Sequence, residues 1–133
     1  RVLAADPIQL VAMLYDGAIK SVAEARRQLN AGNIAARSNA ITKTAEIIAE
    51  LVSSLDSEKG GELAVRLCRI YDYMLQRLVD ANRDQMEAPL IEVSSLLTTL
   101  HSAWMEIAPA PATARYTPVT DAQADYVPQN WSA

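Results

Sequence analysis

The sequence has little of the chemistry that catalysis or metal binding requires. It contains one histidine, His101, and one cysteine, Cys68, which we interpret as structural residues rather than as a base and a nucleophile. A single cysteine forms no internal disulfide, so a reducing compartment is expected. The Glu-x-x-His motif of di-metal bundles is missing, and the stretch SEKGGE at 57–62 lacks the spacing of a phosphate-binding loop. We therefore predict no enzymatic activity, no cofactor and no metal site.

Clustered positive charge and long apolar runs are missing as well. The net charge is −4, the pI is about 4.9, and no basic block stands out. Binding to nucleic acid or to an anionic membrane needs clustered Lys and Arg, so neither partner is expected. No apolar run approaches the roughly 20 residues that cross a bilayer, and no signal peptide is visible.

Aromatic residues and glycines are also scarce. The chain has no Phe, 5% aromatic residues and four glycines, whereas 50% of its residues are apolar. Its core must therefore consist mostly of Leu, Ile, Val, Ala and Met, and the stretches between the glycines are rich in good helix formers. A chain of 133 residues suits one domain. These features predict an all-α domain.

Hydrophobic periodicity and end signals divide this domain into four helices. Asp6 before Pro7 is a good start, Gly32 a good stop, Asn33 a second start, and Gly60 with Gly61 a break. The predicted helices run from about Pro7 to Ala31, Ile34 to Ser54, Glu62 to Asn82 and Glu87 to Ile107. Short loops between them predict an antiparallel, up-and-down four-helix bundle.

One apolar stripe per helix is expected to form the core. The stripes repeat every three or four residues, as the inner face of a packed helix does. Their predicted members are Val11, Tyr15, Ala18 and Val22, then Ile34, Ile41, Ile48 and Leu55, then Leu63, Leu67, Ile70, Met74 and Leu78, and finally Leu90, Val93, Leu97, Leu100 and Trp104.

Helices one and three carry more apolar surface than these stripes use. Leu10, Met13 and Gly17 lie outside the first stripe, and a glycine inside a helix costs about 1 kcal/mol relative to alanine. An adaptable Met beside a glycine suits a surface that receives another helix. In helix three, Tyr71 and Leu75 lie outside the predicted stripe. They belong either to an exposed groove or to a central helix that contacts two neighbours.

The chain changes character after Ala108. The predicted bundle domain covers residues 1–108, and residues 109–133 form a proline-rich tail without periodicity. A flexible tail is one interpretation. Because it contains Tyr116, Tyr126 and Trp131, docking on a groove of the bundle is the other.

Three ordered motifs resemble one known family. They are DPIQLVAMLYDGAI at 6–19, SLDSEKGGELAVRLCRIYDYMLQRLVDAN at 54–82 and EVSSLLTTLHSAW at 92–104. Together they are similar to the flagellar export chaperones for flagellin, the FliS family. The resemblance implies a helical bundle in the bacterial cytoplasm that binds the disordered C-terminal segment of flagellin. It further implies that binding prevents premature polymerisation and helps to deliver flagellin to the type III export apparatus, with an export gate component as a further partner.

The residues agree with helix-in-groove recognition, in which apolar patches accept anchors from a partner helix. We expect the partner to contact residues of helices one and three. The expected contact residues are Leu10, Met13, Leu14, Gly17, Tyr71, Tyr73 and Leu75. A monomer or weak dimer is expected in the free state. The alternative is a non-enzymatic adaptor or structural bundle that self-associates through the same apolar patch.

Overall fold

The computed structural model describes residues 7–55 and 57–107. Within these ranges it contains four α-helices and an all-α fold, as predicted. The helices are α1 (Pro7–Asn30), α2 (Ile34–Ser53), α3 (Ser57–Asp84) and α4 (Ala88–Ile107). Each helix packs against its neighbours in sequence, and α4 returns to pack against α1. The predicted start signal Asp6 and the tail 109–133 lie outside the described residues.

Pairs of contacts show that adjacent helices run antiparallel. Ser21 of α1 meets Thr44 of α2 through their hydroxyls, 2.7 Å apart, and Gly17 lies against Ile47 one turn further on. In the same way Arg26 contacts Glu87 of α4. The chain therefore goes up and down the bundle, and one core fills its centre. Its buried apolar residues include Tyr15, Ala18, Val22, Ala25, Ile41, Ile48, Leu51, Tyr71, Met74, Leu78, Ala81, Leu90, Val93 and Leu97.

The loop between α1 and α2 follows from its local sequence. Gly32 has a φ of 75°, and the N–H groups of Gly32 and Asn33 donate to the carbonyls of Leu29 and Gln28. This pair of hydrogen bonds is a Schellman motif, which needs the left-handed conformation that glycine adopts freely. The Asn33 side chain then accepts from the N–H of Ala36 at 3.0 Å and caps α2. Both end signals are confirmed.

The start of α3 differs from the prediction. Residues 57–60, predicted as loop, are helical, and the chain kinks at Gly61, whose φ of 54° and ψ of −130° lie outside the helical region. Only Gly at this position adopts such a backbone without steric cost. A short helical turn thus precedes the main part of α3.

Two predicted core residues are exposed, and one residue placed outside the stripe is buried. Ile34 and Leu63 stand in solvent at the first turns of α2 and α3, with 60% and 63% of their surface exposed. Tyr71 is 2% exposed and belongs to the core, together with buried Ala64. The buried stripe of α3 therefore runs through Ala64, Tyr71, Met74 and Leu78 and is rotated slightly from the predicted one.

Candidate functional site

Three concave surfaces surround α2 and the end of the bundle where α1 begins. The first, the α1–α2 groove, has a volume of about 450 Å³. The second, the α2–α3 groove, has a volume of about 490 Å³, and the third, the end pocket, about 180 Å³. The two grooves reach the range of typical ligand sites, roughly 300–1,000 Å³, whereas the end pocket is smaller.

Small residues line the α1–α2 groove. It contains Gly17 and Ser21 of α1 with Ala36 and Ala40 of α2, while Lys20, Glu24, Asn39 and Lys43 complete its rim. Ser21 is buried, and its hydroxyl donates to the carbonyl of Ala18 and pairs with Thr44. Its polar group is thus satisfied within the bundle. What remains at the surface is a shallow channel in which a partner can approach the helix backbones closely.

The geometry at Gly17 shows that α1 does not need a glycine there. A Cβ added to Gly17 would meet Ile47 Cδ1 at 3.5 Å, which is ordinary van der Waals contact. Alanine would therefore fit the isolated bundle and would favour the helix by roughly 0.5–1 kcal/mol. The glycine is a cost that packing between α1 and α2 does not explain.

The α2–α3 groove has a similar wall of small residues on α2. Ala45 and Ala49 face Leu75 and Val79 of α3, and Ile41, Thr42, Glu46, Leu78, Asn82 and Arg83 complete the lining. Val79 is exposed although it is apolar. Between the two grooves, α2 presents a ridge that carries Lys43, Glu46 and Glu50. A partner that occupies both grooves would therefore cross a charged ridge.

The end pocket lies where α1 and α3 begin and where α2 and α4 end. Its walls are apolar, and two tyrosines and one tryptophan stand among them. The lining consists of Val11, Tyr15, Ser54, Leu55, Gly60, Leu63, Ala64, Leu67, Tyr71 and Trp104. The indole Nε1 of Trp104 is buried and donates to no acceptor in the described part of the chain.

The hydroxyls of Tyr15 and Tyr71 form a hydrogen bond of 2.5 Å across the core. Burial raises the pKa of both phenols, although the hydrogen bond from Tyr71 partly offsets this for Tyr15. Both tyrosines therefore stay protonated at neutral pH. The ring of His101 lies 5.9 Å from that of Tyr15, so the histidine packs beside the pair.

The predicted contact residues do not form one surface. On α1, Met13 is 64% exposed one turn before Gly17, and Leu10 and Leu14 are half-buried beside them. The residues of α3 are separated from these and from one another. Leu75 lines the α2–α3 groove, Tyr71 lines the end pocket, and Tyr73 lies beside α4 with its hydroxyl donating to Glu92.

Sequence reasoning missed the contribution of α2 and α4. The small pairs Ala36–Ala40 and Ala45–Ala49 are each four residues apart and would have marked the two grooves. The participation of Leu55 and Trp104 in a pocket left no comparable signal, because each was a regular member of its stripe.

Metal binding and membrane insertion find no support within residues 7–55 and 57–107. No group of three His, Cys, Asp or Glu side chains there is placed to hold a metal ion, and none of these helices is long and apolar enough to cross a membrane. The fold and its grooves instead define an all-helical bundle of the class that accepts another polypeptide.

Comparison with known proteins identifies the family. Residues 1–111 match the family model described as flagellar protein FliS. The chain is 41% identical over 109 residues to the flagellar secretion chaperone FliS of Salmonella typhimurium, covering 81% of each chain. It is 41% identical over 100 residues to the flagellar secretion chaperone FliSB of Pseudomonas aeruginosa, covering 75% of this chain and 79% of that one. Against the Bacillus subtilis chaperone FliS the identity is 31% over 102 residues, with 77% and 75% covered. The chain belongs to the FliS family of flagellar secretion chaperones.

Proposed function

We propose that this chain is a cytoplasmic chaperone that binds the disordered C-terminal segment of flagellin and holds it in helical form. Bound in this way, flagellin would be kept from premature polymerisation and delivered to the type III export apparatus, where an export gate component is a further candidate partner. The relatives are named flagellar secretion chaperones, which supports the class of client. The role assigns no catalytic chemistry to the chain.

The observation that carries the proposal is the open backbone at Gly17 in the α1–α2 groove. A glycine that the bundle does not require, facing a channel lined by Ala36 and Ala40, suits close approach of a client helix. Exposed Met13 lies one turn away on the same side of α1 and offers an adaptable apolar contact. A helix seated there would bury apolar area that is exposed in the free chaperone.

Binding of this kind is strong enough to protect a client and weak enough to release it. Burial of apolar surface contributes roughly 25 cal/mol per Å². Ordering a disordered client offsets about 2–5 kcal/mol of that gain. The two grooves on either side of α2 allow one client to fold as two helices joined across the ridge.

The direct test mixes the chaperone with a peptide that comprises the C-terminal segment of flagellin. We expect a one-to-one complex by light scattering and a gain in helix by circular dichroism. Absence of binding at tens of micromolar peptide would contradict the proposal. A complex of two chaperone chains without peptide would favour the alternative, a bundle that self-associates through the same surface.

Two methionines provide a matched pair for locating the site. Met13 lies beside the α1–α2 groove and Met86 in the loop between α3 and α4, with 64% and 50% of their surface exposed. Met13→Glu should weaken client binding at least about tenfold by placing a charge in the interface, whereas Met86→Glu should leave it unchanged. Because both residues are exposed, neither change should alter thermal unfolding much. Equal effects on binding would place the site elsewhere.

A further inference from the structure

The end pocket contains more hydrogen-bond donors than acceptors. The Trp104 indole N–H has no acceptor among the described residues. Tyr15 and Tyr71 share one hydrogen bond, so one of their two O–H protons has no acceptor within that pair. Buried donors are nearly always paired in native proteins. The pocket is therefore complementary to an apolar group that brings oxygen acceptors with it.

An extended segment supplies such acceptors better than a helix does. In the interior of a helix every carbonyl is already bonded four residues along, whereas a polyproline-type segment leaves its carbonyls free. Proline-rich segments dock on aromatic-lined surfaces for this reason. At about 180 Å³ the end pocket is also too small for a helix and suits one or two side chains.

The chain itself carries a segment of this chemistry next to the pocket. Residues 108–133 follow α4, whose last turn contains Trp104. The part that reads PAPATARYTPV at 109–119 has three prolines, one charged residue and Tyr116. Tyr116 is nine residues beyond Ile107, a span of up to roughly 30 Å when extended, so it reaches the pocket without strain. No charged residue lines the pocket, which matches a nearly neutral segment.

We propose that residues 109–119 dock on the end pocket in an extended conformation, with the Tyr116 side chain inserted and a main-chain carbonyl accepting from Trp104 Nε1. Tethering favours this contact, because a short linker raises the effective concentration of the segment to the millimolar range. The docked segment covers Val11 and Leu55, at the beginning of α1 and the end of α2. It therefore occupies the approach to both helices that form the α1–α2 groove.

This placement gives the tail a regulatory role, which rests on the proposed function. A client that extends from the α1–α2 groove towards the end pocket would have to displace residues 109–119. The tail would then weaken premature or non-specific binding and leave when the correct client arrives. Docking of the tail, in contrast, is a property of the free chaperone and is measured without any client.

The test uses the full chain with Trp131→Phe, which leaves Trp104 as the single tryptophan. With a ¹⁵N-labelled indole, one N–H resonance reports on the pocket. Solvent exchange of that N–H is compared in the Trp131→Phe protein, in the same protein with Tyr116→Ala, and in a control with Tyr126→Ala. We expect Tyr116→Ala to accelerate exchange on the order of fivefold, since a millimolar tether gives modest docking, and Tyr126→Ala to leave it unchanged.

Equal exchange in all three proteins overturns the proposal. Protection that falls on dilution would assign the pocket to a second copy of the chain and also overturns it. Protection that survives Tyr116→Ala but is lost when Val2 and Leu3 are changed to Ser would assign the pocket to the first residues instead. Titration with the flagellin peptide then separates the two proposals. Tighter binding by the Tyr116→Ala protein supports competition, whereas loss of all peptide binding contradicts the proposed function and leaves the exchange result standing.

Discussion

The two ends of the bundle are built differently. At the end where α2 and α4 begin, polar side chains tie the helices together: Arg26 contacts Glu87 at 3.0 Å, and Asn82 accepts from both Arg37 and Ser38. At the other end, the exposed Leu63 and the unpaired indole N–H of Trp104 surround an apolar pocket. We call these the closed end and the open end.

The difference separates stability from recognition. At the closed end, buried groups have partners on other helices, so a change there removes an interaction that the fold already makes. At the open end, apolar and donor groups lack partners within the described residues, and a ligand gains free energy by covering them. We therefore expect substitutions at the closed end to act on unfolding and substitutions at the open end to act on binding.

The largest test of this difference is a matched pair of Leu→Ala substitutions. Leu90, near the closed end, is fully buried, whereas Leu63, at the open end, is 63% exposed. Leu90→Ala should lower the free energy of unfolding by about 2–5 kcal/mol because it leaves a cavity. Leu63→Ala should change it by no more than about 0.5 kcal/mol. Urea titrations followed by circular dichroism measure both values, and a similar loss in both variants would refute the distinction between the ends.

A smaller effect is expected from the polar cluster at the closed end. Arg37 is buried, and its Nε donates to Asn82 Oδ1 at 3.2 Å. Asn82→Ala leaves this donor without its partner and should cost about 1–3 kcal/mol of unfolding free energy. Asn39→Ala, on the exposed side of α2, is the control and should stay within about 0.5 kcal/mol. If the two variants unfold alike, the cluster does not stabilise the closed end.

The sequence predicts much of the closed end and little of the open end, for physical reasons. Gly32 and Asn33 form a local motif, and such motifs depend on a few adjacent residues. Ile34 and Leu63 were wrongly placed in the core because a regular repeat does not reveal where a first helical turn extends beyond its neighbours. Tyr71 was misplaced because two stripes on α3, one step apart, satisfy the same spacing.

The grooves were only half predictable. Gly17 was recognised because a glycine inside a helix has a known cost. The alanines of α2 carry little hydrophobic signal, and grooves depend on how two helices pack, so their contribution emerged only from the structure. Whether Leu10, Met13, Leu14, Gly17, Tyr71, Tyr73 and Leu75 contact a partner stays a prediction.

A third test gives opposite signs for the same substitution at two glycines. Gly17→Ala should stabilise the free protein by roughly 0.5–1 kcal/mol, since the added Cβ meets Ile47 in ordinary contact. Gly32→Ala, in the closed-end loop, should destabilise it by about 1–2 kcal/mol because the φ of 75° is unfavourable for alanine. Thermal unfolding measures both. A loss of stability in Gly17→Ala would show that α1 and α2 require the glycine, and the argument for a client at that position would fail.

The smallest expected effect is a pH dependence on the face shared by α3 and α4. The hydroxyl of Tyr73 and then the guanidinium of Arg77 donate to Glu92, and these hydrogen bonds lower the pKa of its carboxyl. A carboxyl whose pKa is lower in the folded state stabilises the protein above its unfolded pKa of roughly 4.3, and this contribution disappears as the pH falls through the folded pKa. Glu92→Gln should therefore lower the melting temperature slightly at neutral pH, and the difference from the parent protein should vanish towards about pH 3. Glu46→Gln, on the exposed ridge of α2, should show no such convergence. Because the Glu92 cluster is exposed, solvent screens it, and its contribution must stay well below those of Leu90 and Asn82. A pH-independent difference for Glu92→Gln would mean that the carboxylate charge contributes nothing and that the side chain acts by packing alone.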